Sequence, residues 1–355
     1  MVVFNGEPIF PFGFFLYWKL EADQVAFIKA NGFNSIVIAG IPCYSASGLD
    51  NILAAAEEES LYVIMFMPLA LDPNNIGGVA NRVASYKDSP AVLGYIPADE
   101  AVNGDMSYVD LFLAEAKEED PYRLVYPNHN TASFHRFRNR PKRLPGNLLS
   151  FDRYPNIGFG SSVDPSIYTV GALIRGMTDE ALESRKPIFA ILSHTDIGGK
   201  CWPGFCEFNL REPSMRELEF QTYITVIEGA RALFFYINLP KSTYVLAKLR
   251  SLNEEIQSLV PALASVKSVP KITANNDMIR YLLTREETHY TLITVNRSME
   301  SEQITFDLSS LQGLNVNIPA TVSFEDRTLS LNSEASLSDT FAPFQRHVYL
   351  IPLSN

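Results

Sequence analysis

The sequence lacks the features that define several large classes of protein. None of its apolar runs reaches the roughly 18 residues of a membrane-spanning helix, although 46% of its 355 residues are hydrophobic. Three cysteines are too few for a disulfide framework at this length. Acidic residues outnumber basic ones by 40 to 29, so the basic face of a nucleic-acid-binding protein is not expected. The sequence predicts a soluble globular protein that binds neither membranes nor nucleic acids.

Sequence motifs that bind phosphate, bind a metal ion or activate a serine nucleophile are also missing. The chain has no Gly-rich phosphate loop and no nucleophile-elbow serine, and its five histidines are scattered without ligand spacing from a cysteine. We therefore expect no cofactor and no metal ion. Cys201 and Cys206 flank Trp-Pro-Gly-Phe in a predicted loop, where a disulfide and two free thiols are both compatible with the sequence.

The first ten residues predict a hairpin and not a signal peptide. Asn5 and Gly6 form a turn dipeptide between two short apolar segments. A signal peptide would begin with a basic region, and residues 1–8 contain no Lys or Arg. We expect no signal peptide in this chain, and its localisation stays open.

Apolar segments alternate with amphipathic ones over the first two-thirds of the chain. Eight strand-like segments recur about every 32 residues, a spacing typical of βα units. Continuous apolar runs such as Tyr62–Phe66 and Ile188–Leu192 indicate parallel strands that are covered by helices. Residues 1–264 therefore predict an α/β fold, a (β/α)₈ TIM barrel. The predicted strands begin near Ile9, Ser35, Leu61, Val92, Arg123, Leu148, Pro187 and Ala232.

The pattern changes at about residue 264. Residues 265–355 contain short segments of alternating polarity that are separated by turn residues such as Asn275-Asn276-Asp277. This spacing is typical of a small all-β sandwich. We expect two domains, the barrel followed by the sandwich.

Functional residues of a TIM barrel lie at the C-terminal ends of its strands. In this chain, carboxylates, amides and aromatic residues follow the predicted strands. Such a set suits carbohydrate chemistry, because cleavage of a glycosidic bond needs one acid and a second carboxylate, and aromatic faces stack on sugar rings. The predicted substrate-binding residues are Tyr17, Trp18, Asn128, Tyr154, His194, Trp202 and Tyr236.

The clearest local signal is the segment Gly94–Glu100, where an apolar strand runs directly into Asp99 and Glu100. Adjacent carboxylates disfavour each other's ionisation, which favours a protonated acid near neutral pH. The structural alternative is a helix N-cap at Asp99 with a solvated Glu100. Asp152 and Asp196 are the other candidate carboxylates, and each is also compatible with a role in a turn.

Several segments resemble those of β/α-barrel glycoside hydrolases. They read NGEPIFPFGFFLYW, VLGYIPADE, SFDRYP and EGARALFFYI, and the later VNRS and DTFAPFQRHVYLI are similar to the sandwich modules that follow such barrels. The likeness is to the large retaining clan of TIM-barrel glycosidases, in which a Glu at the end of strand four is the general acid/base. The resemblance implies that role for Glu100 and an oligo- or polysaccharide as substrate.

Two positions depart from the pattern of this clan. Asp99 stands where the clan has Asn, and the Asp-Glu pair is similar to hexosaminidases that use the substrate's acetamido group as nucleophile. The clan's nucleophile is a Glu that ends strand seven, and here that place is taken by the segment Leu192–Asp196, which has no Glu. The second carboxylate is then Asp196 or Asp152, with Glu207 as a remote third choice. We expect a glycoside hydrolase, with an inactive carbohydrate-binding barrel and a transglycosylase as alternatives.

Overall fold

A computed structural model of the chain describes residues 2–4, 6–17, 20–39, 45–67, 76–99, 106–129, 146–152, 175–176, 186–194 and 212–354. Within these ranges, strands and helices alternate up to residue 264, and the regular elements after it are strands. The change falls where the pattern of the sequence changes.

Eight parallel strands form a closed barrel in which each strand pairs with the next and the last pairs with the first. The predicted TIM barrel is therefore confirmed, with its strands close to the predicted positions. An N-terminal hairpin of β1 (Val2–Phe4) and β2 (Glu7–Ile9) precedes it. The barrel strands are β3 (Phe12–Leu16), β4 (Ser35–Ile38), β5 (Tyr62–Phe66), β6 (Val92–Asp99), β7 (Leu124–His129), β8 (Leu149–Asp152), β9 (Ile188–Ser193) and β10 (Ala230–Tyr236).

The hairpin covers the N-terminal end of the barrel. Its turn is made by Gly6 at φ +85°, in the left-handed region that glycine adopts without strain. Val2 belongs to the apolar cluster inside the barrel, and the Phe4 ring meets the Tyr62 ring edge-on at 5.0 Å. Because Tyr62 is the first residue of β5, the functional residues are expected at the opposite end.

Each barrel strand divides its side chains between two apolar layers. In β10, Ala232 and Phe234 point into the barrel, whereas Leu233 and Phe235 pack outside it against the helices. This alternation follows from the two-residue repeat of a strand. It determines which polar residues at a strand end face the barrel mouth.

Helices cover the outer face of the barrel. Local hydrogen bonds fix where they start. Before the helix Met215–Ile227, for example, the Ser214 hydroxyl accepts from the Glu217 amide while the Glu217 carboxylate accepts from the Ser214 amide. Among the described helices, none is long and apolar enough to cross a membrane. The described helices are α1 (Ala22–Ala30), α2 (Ala46–Glu58), α3 (Ile76–Tyr86), α4 (Met106–Glu119), α5 (Met215–Ile227), α6 (Thr243–Ser258) and α7 (Val260–Ala264).

Two antiparallel sheets form the predicted β-sandwich. One contains β11, β14 and β17, and the other has the order β12-β13-β18-β15-β16. Apolar side chains of both sheets share one core, as Phe306 and Leu337 do with Leu292 and Tyr349. The strands are β11 (Thr273–Ala274), β12 (Ile279–Arg285), β13 (His289–Asn296), β14 (Glu302–Asp307), β15 (Ala320–Ser323), β16 (Arg327–Leu329), β17 (Ser336–Phe341) and β18 (Arg346–Pro352).

The sandwich packs directly against the helices of the barrel. Ile293 and Val348, on the second face of the larger sheet, belong to the apolar cluster of the barrel. The Phe344 ring lies 5.1 Å from that of Phe220 in α5. Since β13 is buried on both faces, the two parts share a continuous apolar interior.

Buried ion pairs cross the same interface. Arg346 donates to Glu255 of α6 at 2.9 Å, and each side chain is less than a tenth exposed. The Tyr223 hydroxyl donates to the other oxygen of Glu255 at 2.6 Å. Nearby, the carboxylate of Glu228 accepts from Arg280 of the sandwich at 2.8 Å. Removing one partner of such a buried pair leaves a charge without its counterion.

We expect Glu255→Ala to lower the free energy of unfolding by about 3 kcal/mol or more, because it leaves buried Arg346 with one carboxylate partner fewer. Glu254→Ala is the matched control, since this neighbouring Glu is 61% exposed and pairs with half-exposed Arg250; we expect it to cost less than about 1 kcal/mol. Urea unfolding of both variants makes the comparison, and equal losses would contradict it.

Candidate functional site

Three polar side chains from neighbouring strands converge at the C-terminal end of the barrel. The Asn128 amide nitrogen donates to Asp99 Oδ1 at 3.0 Å and lies 3.4 Å from Asp152 Oδ1, also as donor. The Asn128 carbonyl oxygen accepts from the Ser150 hydroxyl at 2.9 Å. Asn128 and Asp152 are 4% and 5% exposed, so their orientation is fixed by hydrogen bonds and not by solvent. We call Asp99, Asn128 and Asp152 the carboxylate bridge.

An extra residue in β6 brings Asp99 into this bridge. Tyr95 pairs with Val125 and Ala98 pairs with Pro127, so two residues of β6 stand opposite the single residue Tyr126 of β7. Beyond this bulge, Asp99 is in register with Asn128. In a regular strand Asp99 would pair with His129 on the outer face, because a shift of one residue exchanges the faces of a strand.

The bridge brings one oxygen of each of two carboxylates within hydrogen-bonding distance of a single amide nitrogen. Asp152 is buried, whereas Asp99 is partly exposed. Asn128 therefore provides a donor to both acids and fixes where the two carboxylates lie. Among the described residues, no group of three His, Cys, Asp or Glu side chains is arranged to hold a metal ion.

His194, which follows β9, lies outside the barrel wall. Its ring is fully buried, with ring centroids 5.7 Å from Phe14 and 6.4 Å from Phe235. Its Nε2 lies 2.8 Å from the backbone oxygen of Asn238. Burial lowers the pKa of His194 to about 4, so the ring is neutral at neutral pH.

His129 is a second buried histidine beside the bridge. It follows Asn128 in β7, and its side chain is 2% exposed. Burial lowers the pKa of His129 to about 4 as well. Two histidines that stay neutral in the fold therefore lie close to the barrel mouth.

Tyr17 and Tyr236 lie at the ends of the first and last barrel strands. Both are partly buried against the apolar interior of the barrel, and the Tyr236 ring meets the Phe15 ring edge-on at 5.6 Å. The backbone amide of Tyr17 donates to the side-chain oxygen of Asn238 at 3.0 Å. Both tyrosines thus adjoin the space that the carboxylate bridge faces.

The structure brings together the predicted residues Asp99, Asn128 and Asp152, and it adds Ser150, which the sequence analysis did not select. Ser150 could have been found from alternation, since it stands two residues before Asp152 on the same strand face. Asn238 is one of the amides that follow the predicted strands, and among the described residues it contacts Tyr17 and His194 and not the bridge. Glu100, Trp18, Tyr154, Asp196, Trp202, Glu207, Cys201 and Cys206 lie outside the described residues.

Acid should destabilise the protein through the two buried histidines. The folded pKa of each, about 4, is below the ordinary 6.5, so the unfolded chain binds protons first and stability falls as the pH decreases from 6.5 to 4. Each histidine contributes a slope of up to about 1.4 kcal/mol per pH unit.

His194→Gln and His129→Gln should each lose less stability than the wild type over this interval. Urea unfolding at several pH values between 7 and 4 measures the slopes. Identical slopes for the wild type and both variants would contradict the assignment.

No family model and no curated protein matches the sequence, but solved structures do. A glycoside hydrolase aligns over 99% of this chain and 94% of its own, with 15% identity and a TM-score of 0.66. A glycoside hydrolase of family 5 from Bacteroides vulgatus aligns over 98% and 90%, with 14% identity and a TM-score of 0.63.

An α-amylase from Geobacillus thermoleovorans, crystallised with acarbose, aligns over 94% of this chain and 92% of its own, with 11% identity and a TM-score of 0.62. These alignments run through both the barrel and the sandwich of this chain. The resemblance to TIM-barrel glycosidases that the sequence indicates is thereby confirmed at the level of the fold.

Proposed function

We propose that the protein is a glycoside hydrolase whose reaction takes place at the C-terminal face of the barrel. The observation that carries the proposal is the carboxylate bridge, in which Asn128 holds Asp99 and Asp152 at the mouth of a barrel. Hydrolysis of a glycosidic bond requires paired carboxyl groups. The similar folds of several glycoside hydrolases support the same reaction class.

Asp152 is the carboxylate that attacks the anomeric carbon or activates water. It is almost fully buried and receives a hydrogen bond from Asn128, which favours the ionised form that either task requires. Glu100, which directly follows Asp99 in the sequence, is the general acid that protonates the leaving oxygen. Asp99 contributes negative charge beside both and stabilises the positive charge that develops on the sugar ring.

The substrate is an oligo- or polysaccharide. Tyr17 and Tyr236 provide aromatic surface at the end of the barrel where the bridge lies, and Trp18, Tyr154 and Trp202 are further candidates for stacking on sugar rings. The similar α-amylase was crystallised with acarbose, which supports carbohydrate as the ligand class.

Glu100→Gln should lower kcat/KM by about 10²–10⁴-fold on substrates with poor leaving groups, because proton donation then limits cleavage. On dinitrophenyl glycosides, whose leaving group needs no proton, the loss should be much smaller. Turnover of a panel of aryl glycosides, with the melting temperature as a check on folding, measures both. Equal losses on the two kinds of substrate would contradict a general-acid role.

Asp152→Ala should abolish turnover on activated aryl glycosides, and azide should restore it if Asp152 is the nucleophile, because a small anion can then occupy the vacated space. The product would be a glycosyl azide, identified by mass spectrometry. Asp196→Ala is the matched variant. Rescue of Asp196→Ala, with an active Asp152→Ala, would transfer the role to Asp196.

An inactive carbohydrate-binding barrel is the second candidate. Its support is the end of β9, where the segment Leu192–Asp196 contains no Glu to match the nucleophile of the retaining clan. Sugars that raise the melting temperature of the wild type without any release of product would favour this candidate. Products that change when an acceptor sugar is added would instead indicate a transglycosylase.

A further inference from the structure

Asn238 ties together the two strands at which the barrel closes. It stands two residues beyond β10, and its backbone amide donates to the Phe15 oxygen of β3 at 2.9 Å. Its side-chain oxygen accepts from the amide of Tyr17 at 3.0 Å. Its φ of +63° lies in the left-handed region, which Asn tolerates better than most residues. Asn238 therefore extends the pairing of β3 and β10 beyond the last regular strand pair.

His194 fixes Asn238 from the side of β9. Because a carbonyl oxygen only accepts, the 2.8 Å contact requires that His194 Nε2 carries the proton and donates to the Asn238 oxygen. The backbone amide of His194 also donates to the Tyr236 oxygen, at 3.3 Å. Among the described residues, His194 Nδ1 has no hydrogen-bond partner. The His194 ring thus donates one hydrogen bond, to the backbone oxygen of Asn238.

We propose that His194 and Asn238 are positioning residues that set the orientation of Tyr17 and Tyr236 as one wall of the sugar-binding pocket. His194 and Asn238 together hold a backbone atom of each tyrosine, and both tyrosines pack against the barrel interior at the end where the carboxylate bridge lies. The inference rests on the proposed function, and it adds which residues hold this wall of the pocket in place. His194 acts on the substrate through Asn238 and not by contact.

Two matched pairs of variants separate positioning from general stability. Asn238→Gly tolerates positive φ but loses the oxygen that accepts from Tyr17, whereas Asn238→Asp keeps this oxygen. His194→Leu loses the donor to Asn238. His194→Gln keeps a donor at a similar distance from the backbone and loses only the ring nitrogen without a partner.

Asn238→Gly and His194→Leu should raise KM for an aryl glycoside by about 5-fold or more, with kcat nearly unchanged, since the wall binds substrate and transition state alike. Asn238→Asp and His194→Gln should restore most of the wild-type KM. Hydrogen exchange of the Tyr17 amide should accelerate by about 10-fold or more in Asn238→Gly, because its acceptor is lost.

Unchanged KM in both Asn238→Gly and His194→Leu, with a fall in melting temperature alone, would overturn the positioning role and leave the proposed function intact. An unchanged exchange rate of the Tyr17 amide in Asn238→Gly would overturn it as well. If the wild-type protein cleaves no glycoside and calorimetry detects no binding of one, the proposed function is overturned. The positioning role of His194 and Asn238 then fails with it.

Discussion

The pairing of β3 with β10 is the constraint on which the rest of the structure depends. It joins residues more than 200 positions apart in sequence and converts an open parallel sheet into a barrel without free edges. Closure defines an inside and an outside, so that each polar residue at a strand end faces either the mouth or the helices. Hydrogen bonds of Asn238 continue the closure beyond the strands, and the N-terminal hairpin fills the other end.

Closure alone does not assemble the site, because the direction of each side chain also depends on register. Asp152 is on the inner face of β8 by simple alternation, whereas Asp99 reaches that face only through the extra residue in β6. Asn128, between them, satisfies both carboxylates with one amide group. The two acids are therefore held by the sheet itself and not by the loops beyond it, which keeps their separation independent of loop motion.

Much of the fold could be predicted from the sequence, because apolar runs and their spacing report burial directly. The barrel strands and the hairpin at Gly6 are examples. Strand β17 is hard to predict, because Ser336–Phe341 is mostly polar, and its Leu337 and Phe341 are recognisable as core residues only once the second sheet is present. Local pattern cannot show a partner that is distant in sequence.

For the site, Asp99, Asn128 and Asp152 could be selected as residues that follow apolar runs, yet their contact could not be predicted. Spacing along the chain does not reveal a bulge, and the contact depends on one. That the His194 side chain points out of the barrel could have been predicted from the sequence. Counting alternately from Phe189 and Ile191, which face the barrel interior, puts Ser193 inside and His194 outside.

The bulge in β6 also affects how related chains should be compared. Consider a relative with the same number of residues but a regular strand in this place. There the residue before the acid pair, and not the first acid, would be in register with the residue that corresponds to Asn128. An alignment without a gap at residues 96–97 would then equate residues that face opposite sides of the barrel wall. Loss of the extra residue itself would keep Asp99 in register with Asn128, because the pairing on both sides of the bulge would then join without a shift. The bulge and the length of the strand therefore decide together which side chain faces the barrel interior.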